Sequence, residues 1–118
     1  MDLTAINIST VDNGNFGYIE YDTGLSLEIP EGFVGLIFPR SSISNTGLIL
    51  ANAVGVIDSS YRGSIKCRFK AIPNTTIYNV GERIAQLLIL PYPQINFEEV
   101  EELSTTDRGL DGFGSSGN

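Results

Sequence analysis

The distribution of hydrophobic and polar residues predicts a chain built almost entirely of β-strands. Residues 65–70 show this best, because Ile65, Cys67 and Phe69 are separated by charged residues. A period of two is typical of a strand with one face in the core and the other in solvent. Strands are also predicted at residues 3–8, where the alternation is irregular, and at residues 33–38, which are a nearly continuous apolar run. Further strands are predicted at residues 16–21, 25–29, 77–80, 84–90 and 95–100.

Turn-forming residues separate these segments at short intervals, at residues 12–15, 23–24, 30–32, 73–74, 81–82 and 91–93. No stretch keeps an apolar period of 3.6 residues, although residues 41–46 could form one helical turn. Many short strands with frequent turns predict an all-β fold, either a sandwich, a barrel or a jelly roll. From Ser104 onward the chain is polar and glycine-rich. We therefore expect a β domain over residues 1–103 and a mobile arm over residues 104–118.

Composition limits where a binding site can form and what it can bind. At 118 residues, with 42% hydrophobic and 18% charged residues, the chain is one small globular domain. A domain of this size has little room for a deep cleft, so a pocket forms more easily between copies of the chain. The net charge of −7 argues against broad nucleic-acid binding, which needs a basic face.

The sequence contains no histidine, and this absence excludes several kinds of site. Histidine bases, Ser-His-Asp and Cys-His nucleophile systems, and the common zinc sites all require it. Cys67 is the only cysteine, so no disulfide can form within the chain. Any hydrolysis must use carboxylates, arginines, hydroxyls and backbone N–H groups, with or without a hard cation such as Mg²⁺, and these groups suit phosphoryl chemistry.

No targeting or membrane signal is evident. No apolar run approaches the roughly 18 residues of a transmembrane helix, and the residues after Met1 do not begin a signal peptide. We expect an intracellular, soluble and cytoplasmic protein that binds neither membranes nor nucleic acid.

Four segments carry residues suited to a phosphorylated ligand. They are residues 39–42 (PRSS), 52–63 (NAVGVIDSSYRG), 81–87 (GERIAQL) and 106–117 (TDRGLDGFGSSG). Arginine offers a planar fork for phosphate oxygens, and serine hydroxyls add neutral donors. An aspartate after two apolar residues can hold a water, and a glycine-rich backbone can turn several N–H groups towards one anion. The last segment is not followed by Gly-Lys-Ser/Thr, which excludes a Walker A loop.

Each segment also has a purely structural interpretation. The first can be a strand-ending turn with a surface arginine, and the second a hairpin whose Asp58 caps its own turn. The glutamine of the third, Gln86, can be a buried polar residue with structural partners. The fourth can be a flexible glycine-serine tail, but a plain linker has no use for Arg108 and Phe113 among its glycines.

Together and in this order, the four segments resemble motifs of the trimeric dUTP pyrophosphatase (dUTPase) family. The resemblance spans about residue 25 to the C-terminus. The family's Ala-Gly-x-Asp-Leu motif is matched only in its final part, by residues 1–5 (MDLTA). The resemblance implies an all-β jelly roll, or distorted β-barrel, that forms a homotrimer with each active site built from all three subunits. It also implies Mg²⁺-assisted hydrolysis of dUTP to dUMP and pyrophosphate by attack of water on the α-phosphorus.

The resemblance also implies a role for individual residues. Asp58 would be the base that orients the water, and Gln86 would help to hold it. Asn52 and the backbone of Gly55, Val56 and Ile57 would read the uracil edge, and Tyr61 would pack under the deoxyribose. The phosphates would be held by Arg40, Ser41 and Ser42, and Asp2 would hold the metal through water. From another subunit, Phe113 would cover the uracil, and the γ-phosphate would be enclosed by Arg108, Gly114, Ser115 and Ser116.

Two alternatives remain open. A relative of dCTP deaminase would have a similar fold but would use a glutamate near the hairpin as its base, where this chain has Asp58. A non-catalytic regulatory protein could keep the fold and lack the activity.

Overall fold

The computed structural model describes residues 1–12, 14, 17–115 and 117, which form eight β-strands and one short 3₁₀ helix. The strands are β1 (Asp2–Thr4), β2 (Asn7–Val11), β3 (Tyr18–Asp22), β4 (Phe33–Pro39), β5 (Leu48–Leu50), β6 (Gly55–Ile57), β7 (Lys66–Ala71) and β8 (Arg83–Pro91). The 3₁₀ helix spans Ser41–Asn45. None of the described residues belongs to a helix long and apolar enough to cross a bilayer.

The strands form two antiparallel sheets of four strands each, with the orders β1-β8-β4-β6 and β2-β3-β7-β5. The prediction of an all-β fold is confirmed, and so is the single helical turn after Arg40. The core lies between the sheets and includes the fully buried side chains of Leu3, Tyr21, Ile65, Phe69 and Ile84. β4 is central in the first sheet because it pairs with both β8 and β6.

Strand β7 follows the alternating pattern on which the prediction rested. Cys67 and Phe69 are buried while Lys66, Arg68 and Lys70 are exposed. Phe69 packs edge-on against Tyr21, with ring centroids 5.5 Å apart. Aromatic pairs in this geometry add to the stabilisation that burial alone provides.

Three of the predicted strands are wrong, because no partner strand lies beside them in the chain. Residues 25–29 keep Ile29 in the core but form no ladder. Within residues 77–80, the carbonyl oxygen of Tyr78 accepts from the Tyr21 hydroxyl at 2.9 Å and is not part of a sheet. Residues 95–100 are exposed and unpaired. The predicted strand at residues 3–8 divides into β1 and β2, which belong to different sheets.

Two buried acids make stability fall at alkaline pH. Burial raises the pKa of the Cys67 thiol from 9.0 to about 11 and that of the Tyr21 hydroxyl from 10.0 to about 12. The unfolded chain loses these protons first, so stability is full below pH 9.0 and falls as the pH rises towards those values. A shift of this size at Cys67 alone corresponds to about 2–3 kcal/mol.

We therefore predict that Cys67→Ala flattens the pH dependence of the free energy of unfolding between pH 9.0 and about 11. Urea unfolding at a series of pH values measures this dependence. The substitution also lowers stability at neutral pH, so the two slopes are compared and not the absolute values. An unchanged alkaline slope would show that burial does not perturb the thiol.

Candidate functional site

The first group of candidate residues lies where β4 ends beside β1 and β8. The strand register places Asp2 and Phe38 on either side of Gln86. Gln86 is half-buried, and its Nε2 donates to the Pro39 carbonyl oxygen at 3.1 Å. This bond gives the side-chain amide the hydrogen-bond partner that a buried glutamine needs. It also fixes the amide beside the PRSS segment.

Asp2 lies between two arginines. Its Oδ1 is 3.4 Å from Arg40 Nε, and its Oδ2 is 3.3 Å from Arg83 Nη1. Arg40 Nη1 also donates to Ser42 Oγ at 3.2 Å. We call Asp2, Arg40, Ser42 and Arg83 the arginine cluster. Such partly exposed ion pairs add little stability, but together they hold the Arg40 guanidinium in one orientation.

The 3₁₀ helix positions the two serines that follow Arg40. Ser41 is exposed, whereas Ser42 is half-buried and places its Oγ 3.0 Å from the Tyr78 hydroxyl. A cavity of about 330 Å³ opens here. It is lined by Arg40, Ser42, Tyr78, Gly81, Glu82 and Arg83. Two guanidinium groups and a hydroxyl at one cavity suit an anion, because all can donate hydrogen bonds to it.

The second group of candidate residues lies on the turn that connects β5 to β6 and on the residues that follow it. Because β5 and β6 belong to different sheets and do not pair, the hairpin that the sequence suggested here is wrong. We call residues 52–63 the hairpin segment. The turn contains Ala53 at a φ of 61°, a conformation that is uncommon for a residue with a side chain. After the turn, Gly55 packs on β4, where a Cβ at position 55 would approach the Cβ of Ile37 to 3.1 Å. The neighbour that needs glycine at position 55 is therefore a core side chain.

A cavity of about 290 Å³, the hairpin cavity, lies against this segment. Its lining includes Asn52, Gly55, Val56, Ile57, Asp58 and Tyr61, all of them expected site residues. Glu20, Lys66 and Arg68 border it on the outer face of the second sheet. Because Gly55 has no side chain and the Ile57 side chain is buried, these two residues can offer a ligand only backbone groups.

Tyr61 is held in place by the turn that follows it. Its hydroxyl donates to the Ser64 carbonyl oxygen at 2.9 Å, and its backbone N–H donates to the Asp58 carbonyl oxygen at 3.1 Å. The ring lies across Gly63, where any Cβ would overlap the ring and its hydroxyl. The ring is nevertheless 47% exposed. It therefore offers an open aromatic face at the mouth of the hairpin cavity.

The structure does not bring the two groups together within one chain. β6 runs antiparallel to β4, with Gly55 opposite Ile37 and Ile57 opposite Gly35. Asp58 therefore lies level with the start of β4, while Arg40 follows its end. Six residues of strand separate the two levels, which is roughly 20 Å. The hairpin cavity and the cavity at the arginine cluster share no lining residue.

The arm lies apart from both cavities, whose linings include no described residue of the arm. Phe113 is fully exposed. Hydrogen bonds between positions three apart curl the arm into a loop, such as the bond from Arg108 Nε to the Asp111 carbonyl oxygen at 2.8 Å. The loop includes Arg108, Gly114 and Ser115. Ser116, which was also expected to hold phosphate, lies outside the described residues.

Sequence reasoning did not single out two residues of the arginine-cluster cavity. Arg83 belongs to the GERIAQL segment, so its position in a motif was an available signal. Tyr78 gave none, because an aromatic residue in an apolar stretch looks like any core residue. The alternating pattern of β7 predicts that its cations only face solvent. In the structure, Arg68 and Lys66 pair with Glu20 at 2.7 and 3.7 Å beside the hairpin cavity.

The described residues offer one candidate for holding a metal ion. They contain no group of three or more aspartate, glutamate, cysteine or histidine side chains placed to hold a cation. Asp2 lies beside the cavity, where it pairs with Arg40 and Arg83, and its side chain is 37% exposed. Glu82 lines the same cavity, but its carboxylate already accepts from the backbone N–H of Asn79.

Comparison with known proteins gives the family. The family model described as dUTPase matches residues 1–117. The deoxyuridine 5'-triphosphate nucleotidohydrolase of Escherichia phage T5 is 47% identical over 106 residues, covering 81% of this chain and 66% of that protein. The enzyme of the same name from Corynebacterium diphtheriae is 44% identical over 119 residues, covering 98% of this chain and 77% of that protein. The chain thus spans about two thirds to three quarters of the length of these relatives.

Solved structures agree with this result. The dUTPase of Staphylococcus bacteriophage 80alpha with dUPNHPP is similar at a TM-score of 0.76 and 29% identity, covering 99% of this chain and 85% of that chain. A mutant dUTPase of Staphylococcus aureus phage phi11, which coordinates a structural Mg(II) ion, has a TM-score of 0.67 at 23% identity and supports the fold alone. The expected dUTPase-like all-β jelly roll is confirmed. The chain belongs to the dUTPase family.

Proposed function

We propose that this protein hydrolyses dUTP to dUMP and pyrophosphate by attack of water on the α-phosphorus. The observation that carries the proposal is the family match over residues 1–117, since proteins up to 47% identical are named for this hydrolysis. The residue types agree with it. In a chain without histidine, a carboxylate, a glutamine, arginines and serines remain to orient a water and to hold phosphates.

The active site is shared between copies of the chain. Roughly 20 Å of strand separates Asp58 from Arg40 within one chain, and a base must come within hydrogen-bond reach of its water. The hairpin segment of one copy and the arginine cluster of another must therefore meet. Exposed apolar side chains supply a surface for this contact, including Val56 at 65% and Leu88 at 42% exposure. We propose a homotrimer, in agreement with the family resemblance.

The hairpin end of this shared site recognises the nucleoside. Asn52 and the backbone of Gly55, Val56 and Ile57 pair with the uracil edge, and the open face of Tyr61 packs under the deoxyribose. Cytosine is rejected because its amino group would face a donor and leave buried groups unpaired. Asp58, at the same cavity, orients the attacking water.

The arginine-cluster end holds the phosphates. Arg40, Ser41 and Ser42 bind them, and Gln86 helps to hold the water. The arm of a further copy closes over the nucleotide. Phe113 covers the uracil, and Arg108, Gly114, Ser115 and Ser116 enclose the γ-phosphate. Closure excludes water and strengthens each of these interactions.

The residues present fit Mg²⁺ only as a cation that arrives with the substrate. Mg²⁺ keeps several waters and binds through one or two carboxylates together with phosphate oxygens. Asp2 supplies one such carboxylate and would hold the ion through water. When bound, Mg²⁺ neutralises charge on the phosphates. Asp2 already pairs with Arg40 and Arg83, which holds its carboxylate beside the arginine cluster.

The test of this function is an assay of pyrophosphate and ammonia release with Mg²⁺, using dUTP, dCTP, UTP and dTTP in parallel. We expect pyrophosphate from dUTP at a kcat/KM at least about a hundredfold above the other three nucleotides. Ammonia from dCTP would instead indicate a deaminase. No release from any nucleotide would refute the enzymatic function and leave a binding protein.

A further inference from the structure

Tyr78 is a buried residue of the arginine-cluster cavity to which the proposed reaction gives no role. Its side chain is 6% exposed, and its ring packs edge-on against Tyr21 and Phe69 at 6.3 and 6.1 Å between centroids. Its hydroxyl leaves this aromatic cluster and lies 3.0 Å from Ser42 Oγ. The ring therefore belongs to the core, while the hydroxyl reaches the edge of the phosphate-suited cavity.

The number of hydrogen bonds that Ser42 can donate and accept limits the direction of its bond with Tyr78. A serine hydroxyl has one proton to donate and two lone pairs that accept. Arg40 Nη1 already donates to Ser42 Oγ at 3.2 Å, and a guanidinium cannot accept in return. In the bond between Ser42 and Tyr78, either hydroxyl can be the donor. Its direction therefore depends on what else Ser42 binds.

A phosphate oxygen fixes that direction. At neutral pH a nucleotide phosphate only accepts, so Ser42 can bind it only by donating its single proton to it. The Tyr78 hydroxyl must then be the donor to Ser42 Oγ. In this arrangement Ser42 accepts from Arg40 and from Tyr78, and both bonds strengthen its own donation to the phosphate.

We propose that Tyr78 is a positioning residue for phosphate binding, which acts by donating its hydroxyl proton to Ser42 and so directs the Ser42 proton to the nucleotide. This inference rests on the proposed function, because it takes Ser42 as a phosphate ligand. Tyr78 itself touches no substrate. Its packing against Tyr21 and Phe69 gives the hydroxyl a fixed location that a surface side chain would not have.

Tyr78→Phe tests the proposal, since it keeps the ring and removes only the hydroxyl. We expect kcat/KM for dUTP to fall about tenfold, the loss that follows from one hydrogen bond at an anion. The inhibition constant of pyrophosphate should rise by a similar factor. That of deoxyuridine, which has no phosphate, should stay unchanged.

Tyr21→Phe is the matched control. The Tyr21 hydroxyl bonds to the backbone carbonyl of Tyr78, so its removal weakens the same cluster without touching Ser42. Thermal unfolding of Tyr78→Phe and Tyr21→Phe measures how much stability each variant loses, so that a loss of activity can be compared with it. We expect Tyr21→Phe to lower the melting temperature and to keep kcat/KM within about twofold of the wild type.

A double-mutant cycle with Ser42→Ala separates a role through Ser42 from a general packing effect. Tyr78→Phe should cost nothing further once Ser42→Ala is present. The inference is overturned if Tyr78→Phe still causes a tenfold loss in the Ser42→Ala variant, or if Tyr78→Phe alone leaves kcat/KM unchanged. Neither result affects the proposed function. If the wild type does not hydrolyse dUTP, the proposed function fails. In that case, calorimetric titration with pyrophosphate tests the inference without any catalytic activity. The inference is overturned if the wild type and Tyr78→Phe bind pyrophosphate with equal affinity, or if neither binds it.

Discussion

We expect the replacement of Asp58 with asparagine to lower the rate of pyrophosphate release from dUTP by about a thousandfold, within the range that general base catalysis supplies. Two carboxylates line the hairpin cavity, Glu20 and Asp58. Glu20 is engaged by Arg68 and Lys66, which leaves Asp58 to accept a proton from water. Asparagine keeps the size of the side chain but cannot take that proton. Steady-state assays with dUTP and Mg²⁺ measure the loss.

Glu20→Gln is the control for this prediction, because it neutralises the other carboxylate of the same cavity. We expect it to keep kcat within about tenfold of the wild type, since the altered charge is not the base. The unfolding curve of Asp58→Asn should match the wild type, as Asp58 is exposed in the single chain. The curve of Glu20→Gln measures the stability lost with the ion pairs to Arg68 and Lys66. If Asp58→Asn kept a tenth or more of the wild-type rate, Asp58 would not be the base.

Deleting residues 107–118 is expected to lower kcat about a hundredfold without changing the oligomeric state. The described residues of the arm hydrogen-bond among themselves and line neither candidate cavity of their own chain. Their removal therefore leaves the core and both cavities intact. What is lost is the set of donors that would surround the γ-phosphate and the closure that excludes water.

Single-turnover kinetics and sedimentation velocity measure the two halves of this prediction. Phe113→Ala is a milder version that keeps the γ-phosphate donors, and we expect it to raise KM more than it lowers kcat. Turnover unchanged by the full deletion would contradict the closing role. Dissociation of the oligomer would place the arm in the subunit contact instead.

The sequence predicted the all-β fold because short apolar patterns separated by turn residues recur along the chain, most clearly the alternation of β7. It failed at residues 77–80 and 95–100, where apolar residues suggested strands that have no partner in one chain. The carbonyl of Tyr78 pairs with a tyrosine hydroxyl instead. Periodicity reports which face of a segment is apolar, but a strand also needs a neighbour, and tertiary structure decides that.

The sequence was enough to name the candidate site residues, but not to predict how they are arranged in space. The motifs named Arg40, Gln86 and Asp58, and the structure places the first two beside each other at the end of β4. Sequence cannot give the distance from these to Asp58, because that depends on the antiparallel register of β6 on β4. The same holds for Tyr78, whose hydroxyl meets Ser42 only through contacts between segments far apart in the chain.

The central claim is that Asp58 and Arg40 of one active site come from different copies of the chain, and subunit mixing tests it most directly. Asp58→Asn and Arg40→Ala proteins, each inactive alone, are co-expressed with different tags, and mixed oligomers are purified through both tags. In a cyclic trimer that contains both variants, about one third of the sites receive an intact Asp58 and an intact Arg40 from two different subunits. We predict that the preparation regains dUTP hydrolysis of that order. Mixed oligomers as inactive as either parent would contradict the account, because they would place both residues of a site in the same chain.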